Sequence, residues 1–139
     1  MNDRVFLDTN ILVYGILNSE NDHNKHQLAV NLLSRNITSY FISTQVINEL
    51  YVVLLKYRVN EAEIQKRIIE IMNELSIVQI TTQSIRGAWD LRKKYSLSYW
   101  DSLIVMSALE SGSVILYSED MHHSLVIEEV LEIKNPFND

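Results

Sequence analysis

The sequence contains no cysteine, one proline and three glycines. The missing cysteines exclude disulfides, thiolate nucleophiles and zinc–thiolate centres together, and they are compatible with a reducing, cytoplasmic setting. Three scattered glycines exclude the G-x-G-x-x-G turn of dinucleotide sites and the phosphate-cradling P-loop. They also leave little room for linkers, and no repeat or low-complexity tract interrupts the chain. The first residues lack a basic segment followed by an apolar stretch, so no signal peptide is expected. No run approaches the ~18 apolar residues of a membrane span. Positive charge is scarce as well: twelve Lys and Arg against eighteen Asp and Glu give a net charge of −6. Phosphate contacts need Lys and Arg, so any nucleic-acid role must use a local basic patch or metal ions.

What is present suffices for one globular domain over residues 1–139, with 47% hydrophobic residues to fill its core. The chain opens on Val5-Phe6-Leu7, an apolar run without alternation, as expected of a strand buried on both faces. A helical pattern follows it. Tyr40 to Ser43, Ile77 to Ile80 and Val114 to Tyr117 read as three further strands, and Leu131 to Ile133 alternates like an edge strand. Helical periodicity fills the intervals. Leu28, Ala29, Leu32 and Leu33 form one stripe, and Ile64, Ile68, Met72 and Leu75 another; Ile85, Ala88 and Trp89 are core candidates on a third helix. Val126 to Val130 is expected to be a short helix. Strands alternating with helices imply an α/β fold: a mostly parallel sheet between two helical layers.

Four acids stand out against this frame. Asp8 follows the end of the first strand, and Asp120 follows the end of the fourth. Glu49 is the only charge in the run Thr44 to Leu55, and a carboxylate buried there needs a donor, a cation or a metal. Asp101 lies in the first turn of a largely apolar helix. Each has a plainer reading. Asp8 can cap the next helix. Glu49 can turn outward with Gln45 and Asn48 as a polar strip. Asp101 stands three residues after Ser98, the spacing of a capping box. In a parallel sheet, however, all four can face one crevice. Ionised carboxylates crowded there raise each other's pKa and call for cations. An oxygen-only donor set suits Mg²⁺ or Mn²⁺ rather than zinc. His23, His26, His122 and His123 read as solvated surface residues.

Four blocks carry a family resemblance: Phe6-Leu7-Asp8-Thr9-Asn10-Ile11-Leu12, Asn48-Glu49-Leu50, Tyr99-Trp100-Asp101-Ser102-Leu103-Ile104 and Leu116-Tyr117-Ser118-Glu119-Asp120-Met121. In this order they resemble the PIN-domain family, most of all the VapC-type toxins of toxin–antitoxin pairs. The resemblance implies a three-layer α/β/α sandwich with a five-stranded sheet in the order 3-2-1-4-5. It also implies a Mg²⁺- or Mn²⁺-dependent endoribonuclease, a homodimer and a cognate antitoxin protein. Asp8, Glu49 and Asp101 match the family's core acids. Asp120 matches the fourth, with Glu119 beside it as the competing choice. Asn10 and Ser118 match supporting polar positions. For the RNA backbone, eight of the twelve basic residues fall between Lys56 and Lys94, and Arg86, Arg92, Lys93 and Lys94 are the expected contacts.

Two alternatives have their own signatures. A haloacid-dehalogenase-type phosphohydrolase needs a second Asp two residues after the first, where this chain has Asn10. A PIN-like module that binds RNA or a partner without cutting has no need of all four acids.

Overall fold

β1 (Val5–Leu7) runs through the middle of the protein, and its Phe6 and Leu7 are fully buried. Each such side chain contributes about 1.5–3 kcal/mol by leaving water. In the computed structural model, which describes residues 3–35 and 39–138, β1 passes directly into α1 (Thr9–Ile16). A 3₁₀ turn (Glu20–Asp22) leads to α2 (His23–Leu33). There follow β2 (Tyr40–Ser43), α3 (Thr44–Lys56), α4 (Glu61–Glu74) and β3 (Ser76–Val78). The second half comprises α5 (Thr82–Tyr95), α6 (Tyr99–Glu110), β4 (Ile115–Tyr117), β5 (Val126–Ile127) and β6 (Leu131–Lys134).

The strands form one sheet in the order β3-β2-β1-β4-β6-β5, parallel except for the antiparallel β5–β6 pair at the edge. The expected order of the first four strands holds, and the strand expected fifth is β6, which lies parallel beside β4. The expected helix over Val126 to Val130 is instead β5 and the three-residue turn Glu128 to Val130. Glu128 and Glu129 both have positive φ, at 49° and 62°, and Val130 N–H donates to the Ile127 carbonyl at 3.0 Å. This is the geometry of a tight hairpin turn, which Glu does not favour by itself. Tertiary bonds impose it. The Glu128 N–H donates to the Tyr95 hydroxyl at 2.8 Å, and the Glu128 carboxylate accepts from Lys94 at 2.6 Å and Tyr95 at 2.9 Å.

Capping explains most helix starts. Ser43 accepts from Val46 N–H, Asn60 from Ala62 N–H, and Thr81 and Ser84 form a reciprocal capping box. α6 ends at Ser111, and Gly112 then turns the chain with φ +74°, which favours glycine. Gly87 lets α5 approach α6 closely, since a Cβ there would meet the Met106 sulfur at 2.6 Å. Of the expected core residues, Leu28, Met72 and Trp89 are exposed, Trp89 by 51%. Their stripes run wider than the buried arc: Ile64 and Ile68 are buried while Met72, on the same face one turn further, points past it. Among the described residues, no helix is long and apolar enough to cross a membrane.

Candidate active site

The first crossover explains the position of Asp8. β1 ends at the edge where the parallel strands stop, with β4 on one side and β2 on the other. In open α/β sheets a crevice forms at this edge, where neighbouring strands send their helices to opposite faces. Asp8 is 7% exposed and does two things at once. Its Oδ1 accepts from the Thr9 N–H at 2.7 Å, capping α1. Its Oδ2 accepts from the Ser118 hydroxyl at 2.7 Å and, more weakly, from the Asn10 amide at 3.4 Å. The capping and site readings are therefore compatible, because a carboxylate has two oxygens.

Glu49 comes to the same place from the second turn of α3. Its Oε1 accepts from the Thr9 hydroxyl at 2.7 Å and its Oε2 from the Gln45 amide at 3.2 Å. Gln45 also donates to the Trp100 carbonyl at 3.2 Å, tying α3 to the start of α6. There Ser98 accepts from the Asp101 N–H at 3.1 Å. The Asp101 carboxylate does not return the bond to the Ser98 N–H; it borders the crevice instead. Asp120, beyond β4, accepts from Asn10 at 3.1 Å, while the Asn10 oxygen accepts from the Glu119 N–H at 3.2 Å. One amide side chain thus connects the segments carrying Asp8 and Asp120.

Asp8, Asn10, Glu49, Asp101 and Asp120 all line one cleft of about 630 Å³, and Ser118 stands fully buried behind Asp8. Among the described residues none of the four acids forms a salt bridge, and Lys56 is the only cation on the cleft wall. The electrostatic cost is visible. Burial pushes the Asp8 carboxyl up to about 6; hydrogen bonds from Ser118 and Thr9 oppose the rise, and the Glu49 and Asp101 charges add to it. The Asp101 carboxyl is also raised, first by burial, with the Ser98 hydroxyl opposing it and the Asp120 and Glu49 charges adding.

Glu119 differs from its neighbour. Its oxygens accept from the Tyr14 hydroxyl at 2.7 Å and from Lys25 at 2.5 Å. Lys25 lies over the rings of Tyr14 and Phe137, which meet edge to face at 5.0 Å. Glu119 is thereby neutralised, whereas Asp120 is not.

The cleft suits a hard divalent cation: Asp8, Glu49, Asp101 and Asp120 offer oxygen donors, none of the four is paired with a cation among the described residues, and the raised Asp8 carboxyl marks a charge that a cation would relieve. Among the described residues no three acidic or imidazole groups already surround a single point.

Arg86, Arg92, Lys93 and Lys94 are exposed on α5 and do not line the cleft; Lys94 is engaged by Glu128. His26 bonds the Tyr14 carbonyl and His123 accepts from Asn135 N–H, so both serve local structure. Sequence reasoning overlooked Thr9 and the bridging role of Gln45. Thr9 carries a visible signal, since a hydroxyl directly after a site acid and at a helix start is well placed to hold a second acid.

Solved structures share the fold. A chain of a toxin–antitoxin complex from Klebsiella pneumoniae matches with a TM-score of 0.71 at 18% identity, covering 97% of this chain and 99% of that one. VapC20 of Mycobacterium tuberculosis, a toxin that cleaves the sarcin–ricin loop, matches with a TM-score of 0.69 at 17% identity, covering 84% of this chain and 89% of its own. A chain of VapBC2 from Rickettsia felis, bound to a DNA fragment from their promoter, matches with a TM-score of 0.66 at 21% identity, covering 94% and 98%. No curated protein matches the chain. The PIN domain model matches residues 5–127, and the chain, with its sheet order and acid-lined cleft, belongs to the PIN domain family.

Proposed function

We propose that this protein is a metal-dependent endoribonuclease and the toxin of a toxin–antitoxin pair. The observation that carries the reading is the meeting of four carboxylates, from four separate segments, in one cleft without a cationic partner among the described residues. Asp8, Glu49, Asp101 and Asp120 would hold Mg²⁺ or Mn²⁺. When bound, such an ion lowers the pKa of water and offsets the charge that develops on a phosphodiester during in-line attack.

The chain's own residues set the geometry for this. Ser118 and the Thr9 N–H fix the rotamer of Asp8. Thr9 and Gln45 fix both oxygens of Glu49, and Asn10 keeps Asp120 beside Asp8. Such supporting bonds orient ligands that would otherwise swing apart under mutual repulsion. Lys56, on the cleft wall, is placed to meet a phosphate. The pairing of Glu119 with Lys25 supports Asp120 as the fourth acid. The toxin assignment draws support from the similarity of fold to VapC20 and to chains of two toxin–antitoxin assemblies. On this reading the partners are an antitoxin protein and a second copy of the chain.

The test is incubation of the purified protein with a mixed RNA pool in Mg²⁺, Mn²⁺ or EDTA, beside Asp8→Asn and Asp101→Asn. Metal-dependent cleavage lost in both folded variants supports the nuclease. Equal cleavage by all three proteins overturns it.

A further inference from the structure

A second hollow, of about 610 Å³, adjoins the acid cleft and shares Asn48 and Glu49 with it as a common wall. Its remaining lining is largely apolar and aromatic, with Tyr99, Trp100 and Leu103 from α6 and Ile80 and Ile85 opposite. We infer that this hollow is a nucleobase subsite: it takes the unpaired base next to the phosphodiester held at the four acids, stacked on Trp100. The inference rests on the ribonuclease reading and adds to it a source of base selectivity.

Three features of the hollow favour a base. Trp100 is 62% exposed in the first turn of a helix that is buried from Ser102 to Val105, and Tyr99 meets it edge to face at 5.3 Å and 84°. This contact holds the indole in place and leaves ring surface free for stacking, which unpaired bases accept whatever their identity. Amide groups supply selectivity. Gln45 is 8% exposed, and its Nε2 is committed to two acceptors, Glu49 and the Trp100 carbonyl. This fixes the orientation of the amide and leaves its buried Oε1 with no hydrogen-bond donor among the described residues. The exposed Asn48 amide, on the wall shared with the acids, offers a base both a donor and an acceptor. Finally, Gln45 bonds to Glu49 and to the Trp100 backbone together, so the base platform and one site acid are held by the same side chain. A face that merely received another protein would not need a wall shared with the acids.

The chain has two tryptophans, so Trp89→Phe leaves Trp100 as the only indole reporter. In that background, six-nucleotide 2′-O-methyl RNAs of each single base are titrated in EDTA, where binding proceeds without cleavage. The expected result is quenching of Trp100 fluorescence, strongest with an amine-bearing base. In matched titrations followed by anisotropy of dye-labelled oligonucleotides, Trp100→Ala should weaken binding about 5- to 150-fold, while Trp100→Phe keeps most of it. Asp8→Asn retains the quench, so an inactive site and an absent subsite give different results. With the RNA pool and Mg²⁺, Trp100→Ala and Asn48→Ala should change the positions cut. Unchanged cut positions and oligonucleotide affinity in folded Trp100→Ala, with the wild type still cleaving, overturn the subsite and leave the nuclease standing. Loss of a dimer by light scattering in Trp100→Ala, with oligonucleotide binding unchanged, overturns it in favour of a second copy of the chain.

Discussion

Carboxylates behave in opposite ways at two places in this molecule. At the β5–β6 hairpin, Glu128 is met by Lys94 and Tyr95, and these contacts hold its carboxyl below the usual range. In the cleft, Asp8 is buried near Glu49 and Asp101, without a cation among the described residues, and its carboxyl rises to about 6. The hairpin acid has its counter-charge built in and fixes a turn that its own residues disfavour. The four cleft acids have no counter-charge among the described residues, and the proposed function gives that role to a metal ion. Glu119 stands between the two cases, on the cleft wall yet paired with Lys25. Proximity to a site is therefore less informative than whether an acid already has its partner.

The sharpest way to break the contrast is to remove one charge from each place. Asp8→Asn and Asp101→Asn should lower RNA cleavage by more than the roughly 10–100-fold lost when an outer-shell partner is removed. Glu128→Gln should leave the rate of the same gel assay nearly unchanged. Thr9→Val, which removes the hydroxyl from Glu49 and keeps the shape, should fall within that roughly 10–100-fold range, with circular dichroism unchanged.

Acidity sharpens the comparison further. A carboxyl whose pKa is raised on folding binds its proton more tightly in the native state, so its ionisation costs stability as pH rises. For metal-free protein, denaturant melts should show stability falling between about pH 4 and pH 6, by about 2–3 kcal/mol from Asp8 alone. Asp8→Asn should flatten that slope, and Mg²⁺ or Mn²⁺ should restore stability at pH 7. Glu128 has the opposite sign: its lowered pKa adds stability above the usual carboxylate range, lost as pH falls. Because Glu128 lies at the surface, Glu128→Gln should shift the melting temperature only slightly at low salt and not at all at high salt. Between these extremes, Lys25→Met frees Glu119 beside Asp120 and should tighten cation binding less than tenfold in calorimetric titration.

Much of this arrangement was legible in the residues. Unbroken apolar runs marked the buried parallel strands, and an acid at the end of two of them marked the sheet edge. The spacing of Ser98 and Asp101 marked where α6 begins. The hairpin was not legible, because Val126 to Val130 has no turn chemistry of its own and takes its shape from Tyr95 and Lys94, some thirty residues away. Trp89 was misplaced because helical spacing defines a face without fixing how much of it the neighbours cover. The sequence brought the acids into one list; only the fold separated Glu119 from Asp120, since that distinction depends on Lys25 and Tyr14, which lie far from both along the chain.

The same dispersal has a consequence in time. The four acids stand at positions 8, 49, 101 and 120, and Ser118 reaches Asp8 across 110 residues. β1 cannot take its central place until β4 has formed on its far side. A chain still being translated therefore holds its first acid long before it holds a cleft, and on the proposed function no cutting can begin until the segment carrying Ser118 and Asp120 has joined β1.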